Sequence, residues 1–279
     1  MNKRFSIFTC TTIVALLIST AASSQTPPDP CSALTQTQTE NMNKILSTAY
    51  PYDCCDRTID KCLTQTPICP LVPLLKNQVC RYIKKGKTND EIKRILEQRA
   101  LTMAPETKPV EIQKRNEMIW GNPTAATTLS IYLCPRCQFC ARHIPELLDA
   151  LEKNQLKDKV AVNLRIFPIK SHEFSNETAF AVETAAKYKK TWELLQILYK
   201  NYDGYSNENL KKWLAELQIE PEPFNDEMNT PEVRKRVVDS KKEGLKNDVT
   251  ATPTFFINGR KIRSAFDTDD IIDMIKETL

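Results

Sequence analysis

Residues 129–148, LSIYLCPRCQFCARHIPELL, constrain the fold most, because an apolar run passes through three cysteines directly into an amphipathic segment. Apolar residues alternate over residues 129–133, which predicts a strand, and the leucines within residues 147–151 share one face of a predicted helix. A thiol at the start of a helix lies near unpaired N–H groups and the positive end of the helix dipole, which stabilise a thiolate. A second thiol one turn further can close a disulfide with it. The stretch therefore predicts a redox site that gives or takes two electrons.

Two Cys-x-x-Cys pairs overlap in this stretch. One pair is Cys134 with Cys137, and the other is Cys137 with Cys140. The residue types by themselves also allow an ordinary structural disulfide or half of a zinc site. The position of each pair relative to the predicted helix is what separates the alternatives, because only the second pair spans the first helical turn.

The N-terminus, residues 1–22, has the three-part layout of a signal peptide. Lys3 and Arg4 form a charged start, residues 6–18 form an apolar core too short to span a bilayer comfortably, and residues 20–22 are small. We expect export, with a bacterial periplasm as the compartment, and a mature protein that does not span the membrane. An uncleaved anchor is the alternative.

The charge balance of the chain narrows the classes of partner. The chain has 39 basic and 35 acidic residues, and two of the basic residues fall in the predicted signal peptide. The mature chain is thus nearly neutral, which argues against a nucleic-acid or polyacidic partner. Hydrophobic residues make up 41% of the sequence, so a substantial core is expected.

Residues 23–104 are predicted to form a small cysteine-rich, all-helical module, followed by a linker over residues 105–118. Six of the ten cysteines lie in this module: Cys31, Cys54, Cys55, Cys62, Cys69 and Cys80. Disulfides are their expected state after export. The alternatives are a second redox site and a metal site, although the spacing matches no common zinc pattern. Because Cys10 leaves with the signal peptide, pairing within the module and between Cys137 and Cys140 leaves Cys134 without a partner.

The second predicted domain spans residues 119–279 and contains a helical insertion at about residues 170–248. Its elements run strand, helix, strand, a block of helices, strand, hairpin, strand and helix. Thr252-Pro253 stands near the head of the third strand, and a proline fits there because it cannot donate to a β-ladder. An extra strand is possible at residues 110–112. The remaining predicted strands and helices cover residues 160–169, 177–201, 209–217, 231–245, 249–257, 261–263 and 269–278.

Two motifs in this domain resemble DsbA-like proteins of the thioredoxin fold. Residues 121–147 resemble the pattern GNPxAPVTxxEFxDYxCPxCARxxxEL, and residues 249–259 resemble the cis-proline loop GVxGTPTFFVNG. The resemblance implies an α/β thioredoxin fold in which Cys137 is the nucleophile and Cys140 the resolving thiol. A cis bond before Pro253 would turn the Thr252 backbone toward Cys137, where a substrate chain can pair with it. No cofactor and no metal are implied.

The sequence departs from the DsbA-like pattern around the cysteine pair. Gln138 and Phe139 stand where the family usually has a proline or glycine, and Cys134 stands where an aspartate is frequent. Arg136 adjoins Cys137 and is a candidate to stabilise its thiolate. These residues are possible modulators of the redox potential. No carboxylate is placed near Cys140 by the sequence.

The two histidines of the chain receive no catalytic role from the sequence. His143 is predicted to be a surface or packing residue of the active-site helix. His172 is predicted to lie in a loop with no visible partner.

The module carries a second, more limited resemblance. Residues 71–85 predict a helix ended by Gly86, and Thr88 with Glu91 predicts a capping box that starts the next helix. Residues 71–100 resemble the helical domain of CcmH-type cytochrome c maturation proteins, but the Cys-x-x-Cys pair of that family is missing.

The sequence therefore predicts an exported thiol–disulfide oxidoreductase. It would exchange disulfides with cysteine-bearing client proteins and with a redox partner protein, in a direction that the sequence leaves open. Two alternatives remain: a cytochrome c maturation-type factor that binds cysteine-bearing clients, and a cysteine-rich metal-binding envelope protein.

Overall fold

A mixed five-stranded sheet forms the centre of the second domain in the computed structural model, which describes residues 29–263 and 267–279. The predicted signal peptide lies outside the described residues. The sheet order is β1-β3-β2-β4-β5, with β2 and β3 parallel and the other pairs antiparallel. The strands are β1 (Ile119–Gly121), β2 (Thr127–Leu133), β3 (Val160–Ile166), β4 (Thr254–Ile257) and β5 (Arg260–Lys261).

Helices cover both faces of this sheet and form the insertion. They are α5 (Gln138–Lys153), α6 (Ser175–Ala185), α7 (Thr191–Lys200), α8 (Asn207–Glu216), α9 (Pro221–Met228), α10 (Pro231–Lys246) and α11 (Thr268–Glu277). Helix α5 packs against α7 and α11, whereas α10 packs against α6 and β3. The predicted thioredoxin fold with a helical insertion is confirmed. Helix α9 was not predicted, because its single buried side chain, Phe224, leaves no periodic pattern.

The N-terminal module is helical, as predicted. It consists of α1 (Gln36–Leu46), α2 (Ile59–Cys62), α3 (Leu71–Lys84) and α4 (Asn89–Met103). The predicted capping box is present, with the Thr88 side chain accepting from the Glu91 amide and the Glu91 side chain accepting from the Thr88 amide. Gly86 follows α3 with a φ of +74°, which suits a residue that ends a helix. No helix in the described part of the chain is long and apolar enough to cross a membrane.

The register of the central strands places the two predicted motifs side by side. Strand β2 lies between β3 and β4, with Leu133 opposite Ile166 on one side and Tyr132 opposite Thr254 on the other. The residues that follow β2 therefore lie next to the loop that precedes β4. The ends of β2 and β3 share one edge of the sheet because these two strands are parallel.

The sheet edge differs from the sequence prediction. The possible strand at residues 110–112 is not formed, and the Val110 amide instead donates to the Gly259 carbonyl oxygen at 2.8 Å. The extra strand is β1, which ends at Gly121 with a φ of +87°. A Cβ atom at Gly121 would lie 2.5 Å from the Val160 carbonyl oxygen. The close approach of the backbone at Gly121 to that of β3 therefore requires glycine. The third predicted strand is also shorter and begins only at Thr254.

All six module cysteines are paired. The disulfides join Cys31 to Cys80, Cys54 to Cys69 and Cys55 to Cys62. The three free cysteines within the described residues are Cys134, Cys137 and Cys140. The sequence predicted disulfides here without specifying which cysteines are joined.

Buried polar groups join the module to helix α11. The Arg99 side chain is fully buried and donates to the Glu277 carboxylate at 2.9 Å, to the Tyr52 hydroxyl at 3.1 Å and to the Gln78 side chain at 3.3 Å. The Tyr52 hydroxyl also donates to Glu277 at 2.6 Å. This group of residues is called the Arg99 cluster below.

A second polar group lies one to two turns earlier on α11. Arg81 donates to Asp270 at 2.8 Å and to Asp273 at 2.7 Å. Asp270 also accepts from Gln78 and from Tyr82, each at 2.7 Å. Charges buried at such a contact must keep their partners, because an unpaired buried charge is strongly destabilising.

We expect Arg99→Met to lower the free energy of unfolding by about 3 kcal/mol, because it leaves the Glu277 carboxylate without its cation. Urea unfolding followed by circular dichroism measures this change. Arg94→Met is the matched control, because Arg94 lies on the same helix with an exposed side chain. Equal midpoints and slopes for the two variants would contradict a structural role for the Arg99 cluster.

Candidate active site

Three cysteines follow strand β2 at the shared edge of the sheet. Cys134 comes directly after β2, Cys137 is the N-cap residue of α5, and Cys140 lies in the first turn of that helix. The Cys137 amide donates to the Cys134 carbonyl oxygen at 3.0 Å, which closes a four-residue turn. All three side chains are buried, with exposed fractions of 0%, 3% and 0%.

Cys137 lies where its thiolate is stabilised. A hydrogen bond from the Cys140 thiol is the main cause that lowers the pKa of Cys137, to about 5, against the opposing effect of burial. The backbone amides of Phe139 and Cys140 lower it further. As a thiol, Cys137 donates to the Thr252 carbonyl oxygen at 3.2 Å. Cys137 is therefore largely a thiolate at neutral pH.

Cys140 has the opposite character. Burial raises its pKa well above the ordinary value, and its role as hydrogen-bond donor to Cys137 raises it further. The pair thus consists of a thiolate at the helix start and a protonated, buried thiol one turn further. Such a pair can perform nucleophilic attack with one sulfur and resolve the product with the other.

The predicted substrate-binding residues lie beside this pair. Thr252 and Pro253 are buried in the loop before β4, and the peptide bond between them is cis. The Thr252 carbonyl oxygen is the group that the Cys137 thiol contacts. The structure therefore brings Thr252, Cys137 and Cys140 together.

The predicted modulators Arg136, Gln138 and Phe139 do not direct a charge at the cysteine sulfurs. Arg136 turns away from the sulfurs, since its guanidinium donates to the carbonyl oxygens of Glu173 and Tyr202 and lies 4.5 Å from the Tyr202 ring centre. The Tyr202 hydroxyl donates to the Arg136 carbonyl oxygen at 2.8 Å. Gln138 is exposed, and Phe139 is 67% exposed at the start of α5. Hydrogen bonds rather than the Arg136 charge thus account for most of the stabilisation of the thiolate.

Two residues missed by the sequence analysis contact Cys134. His172 Nδ1 lies 3.4 Å from Cys134 Sγ, and Ser175 Oγ lies 3.2 Å from it. The prediction that His172 has no partner was wrong. The parallel pairing of β2 and β3 is the signal that could have found it, because the loops after both strands meet at one edge. His143 lies half-buried on α5, 3.9 Å from Glu146, as a surface position predicts.

Tyr199 of α7 also reaches the cysteines and was not predicted. Its side chain is buried, and burial, followed by the charges of Cys140, Cys134 and Cys137, raises its pKa well above the ordinary value. The hydroxyl makes no hydrogen bond of ordinary geometry within the described residues. In the sequence, this tyrosine is indistinguishable from the apolar residues around it.

Comparison with known sequences identifies the family of the second domain. Residues 113–277, more than half of the chain, match the sequence model described as thioredoxin. The chain belongs to the thioredoxin family. The match contains the cysteines, the loop before β4 and helix α11, so the module lies outside it.

Solved structures similar to the thioredoxin domain include DsbA-type proteins. Oxidised BdbD from Bacillus subtilis is 18% identical with a TM-score of 0.53, and the match covers 61% of this chain and 97% of that one. α-DsbA1 from Wolbachia pipientis is 17% identical with a TM-score of 0.51, and the match covers 60% and 92%. These structures confirm the predicted fold, and the sequence match confirms the thioredoxin family.

Curated proteins with sequences similar to the thioredoxin domain are named as Na(+)/H(+) antiporters. The Na(+)/H(+) antiporter NhaA 1 of Mycolicibacterium gilvum is 27% identical over 164 residues, which cover 58% of this chain and 26% of the antiporter. The antiporter NhaA of Herminiimonas arsenicoxydans is 28% identical over 158 residues, which cover 57% and 25%. The chain thus spans about a quarter of the length of these relatives.

The cysteines of the N-terminal module form disulfides, whereas those of the thioredoxin domain are free thiols. Module sulfurs are paired, and a sulfur in a disulfide is not a thiolate ligand for a metal. Over residues 29–263 and 267–279, no group of three or more His, Cys, Asp or Glu side chains is arranged to hold a metal ion. The cysteines of the described residues that are not engaged in disulfides are therefore Cys134, Cys137 and Cys140.

We expect Cys140→Ala to raise the pKa of Cys137 by about 1 to 2 pH units, because it removes the main hydrogen bond to the thiolate. The pH dependence of alkylation of the reduced protein measures this change, with a midpoint near 5 for the wild type. Cys140→Ser retains a hydroxyl donor and is the matched control, for which we expect a smaller rise. An unchanged midpoint in Cys140→Ala would contradict the assigned cause.

Proposed function

We propose that this protein is an exported thiol–disulfide oxidoreductase of DsbA type that uses Cys137 as nucleophile and Cys140 as resolving thiol. The observation that carries the proposal is the contrast within the pair. Hydrogen bonds lower the pKa of Cys137 to about 5, whereas burial raises that of Cys140. This contrast occurs at a strand-to-helix junction of a thioredoxin-family domain.

The reaction proceeds by two sulfur exchanges. The Cys137 thiolate attacks one sulfur of a client disulfide, so a mixed disulfide forms and the other client sulfur leaves as a thiolate. Cys140 then attacks Cys137 Sγ, which forms the Cys137–Cys140 disulfide and releases the second client sulfur. The Cys140 proton moves to that leaving sulfur. The client gains two electrons and the protein loses two, and the reverse sequence oxidises a client dithiol.

Client binding is assigned to the loop before β4. The Thr252 carbonyl oxygen lies 3.2 Å from the sulfur of Cys137 and Pro253 follows it, so an extended client segment can pair with backbone at this position as an added strand. The exposed ring of Phe139 offers an apolar contact beside the reacting sulfur. The partners are thus proteins that present a cysteine in an extended segment, together with a redox protein that restores the starting state.

Export to a periplasm is part of the proposal. The layout of residues 1–22 supports a cleaved signal peptide. The three disulfides of the module support an oxidising compartment, where such bonds persist. We assign residues 23–104 to the module, residues 105–118 to the linker and residues 119–279 to the redox domain.

Other activities have less support. Sodium–proton exchange is not proposed, because the match covers only about a quarter of each antiporter. A metal-binding role for the module is not proposed, since its six sulfurs are engaged in disulfides. The cytochrome c maturation-type role stays a prediction from residues 71–100.

A disulfide-linked dimer of a single-cysteine peptide tests the proposed reaction. Reduced wild-type protein is expected to release both peptides as thiols. Cys137→Ser is expected to release neither, and Cys134→Ser/Cys140→Ser is expected to stop after one, with the other bound to Cys137. A variant that lacks all three thiols gives the background from the module, and mass spectrometry identifies the adduct. Release by Cys137→Ser above that background would overturn the assignment of the nucleophile.

A further inference from the structure

Cys134 is a buried free thiol that the proposed reaction does not use. It precedes Cys137 by three residues, just as Cys140 follows Cys137 by three. The hydrogen bond from the Cys137 amide to the Cys134 carbonyl oxygen, at 3.0 Å, makes them the first and last residues of a four-residue turn. The Cα atoms across such a turn are less than about 7 Å apart, a separation that a disulfide can bridge.

The surroundings of the Cys134 sulfur are polar, although the residue is fully buried. His172 Nδ1 lies 3.4 Å and Ser175 Oγ 3.2 Å from Sγ. An inert thiol in a core is normally packed by apolar groups. Here a side chain that can accept a proton and a hydroxyl that can donate a hydrogen bond both contact the sulfur.

Tyr199 adds a further polar group near the cysteines. The hydroxyl of Tyr199 is buried, makes no ordinary hydrogen bond within the described residues and responds to the charges of all three cysteines. The side chains of His172, Ser175 and Tyr199 thus place polar groups near the cysteine sulfurs inside the core of the domain.

We propose that Cys134 is a second resolving thiol, which competes with Cys140 for the sulfur of Cys137. The proposal rests on the proposed function, because it needs Cys137 to form a mixed disulfide. In this step Cys134 Sγ attacks Cys137 Sγ, the bond between Cys137 and the client sulfur breaks, and a Cys134–Cys137 disulfide forms. The Cys134 proton passes to His172 Nδ1 and then to the leaving client sulfur. The client sulfur is reduced, Cys134 is oxidised, and no further reactant is needed.

This site has two oxidised forms. One joins Cys137 to Cys140 within the first turn of α5, and the other joins Cys137 to Cys134 across the preceding turn. The second form leaves Cys140 as a free thiol. Attack of Cys140 on Cys137 then interconverts the two forms without net oxidation or reduction, since one disulfide replaces another.

The test counts the peptides released from the same disulfide-linked peptide dimer by the full chain. Cys140→Ser and Cys140→Ala are expected to release two peptides, because Cys134 resolves the adduct. Cys134→Ser/Cys140→Ser is expected to release one. The second release from either single variant is expected to be at least tenfold faster than from the double variant. Peptide mapping of the product is expected to find Cys134 joined to Cys137.

Two results would overturn the proposal while leaving the proposed function intact. The first is a single release by Cys140→Ser and Cys140→Ala, with adducts as long-lived as in the double variant. The second is that Cys134 of the Cys140 variants is still alkylated in denaturant after the reaction, which would show that it remains a free thiol. Failure of Cys137 to form any adduct would instead overturn the proposed function, so the two failures are distinct.

The role of His172 is tested in the Cys140→Ser background. His172→Gln is expected to slow the second release at least tenfold, because it removes the proton acceptor, and to leave the first release unchanged. Equal second releases with and without His172 would exclude it as the acceptor. Slowing of both releases to the same extent would indicate a structural effect and would also count against the assigned role.

Discussion

The pairing of β2 with β3 on one side and β4 on the other is the constraint on which the site depends. The parallel pair brings the loops after β2 and β3 to the same edge, and the antiparallel pair brings the loop before β4 to that edge. Cysteines, a histidine and a Thr-Pro loop that are far apart in sequence meet there. No short segment of the chain contains the site, because each loop is held by a different strand.

The chemistry at this edge follows from unequal burial and hydrogen bonding. At the start of α5, the Cys137 sulfur accepts hydrogen bonds from the Cys140 thiol and from two backbone amides. Cys140 is more deeply buried, and its thiol donates to Cys137. Neither a cation nor a carboxylate accounts for the difference. The two residues between the cysteines, Gln138 and Phe139, contribute an amide and an exposed aromatic surface rather than a charge. The contrast between the two pKa values therefore results mainly from the hydrogen bond between the two side chains and from the burial of Cys140, with a smaller contribution from backbone amides.

Much of the fold could be predicted because it depends on local patterns. The alternating strands, the capping box at Thr88 and the Thr-Pro before an Asn-Gly turn each have a signature in neighbouring residues. The contacts of His172 and Tyr199 with the cysteines have none, since they arise from strand order and helix packing. The direction of Arg136 depends on the ring of Tyr202, which is 66 residues away in the chain. Disulfide pairing in the module was likewise undetermined until the fold placed its helices.

The Arg99 cluster links the beginning of the described chain to its end. Tyr52 and Glu277 are 225 positions apart, and Arg99 and Glu277 are 178 apart. Contacts of such separation carry a larger entropic cost of loop closure than local contacts do. The three disulfides of the module join cysteines between residues 31 and 80, so none of them includes a residue of helix α11. In a chain made from its N-terminus, all six module cysteines are therefore present well before Glu277, the residue on which the Arg99 cluster depends.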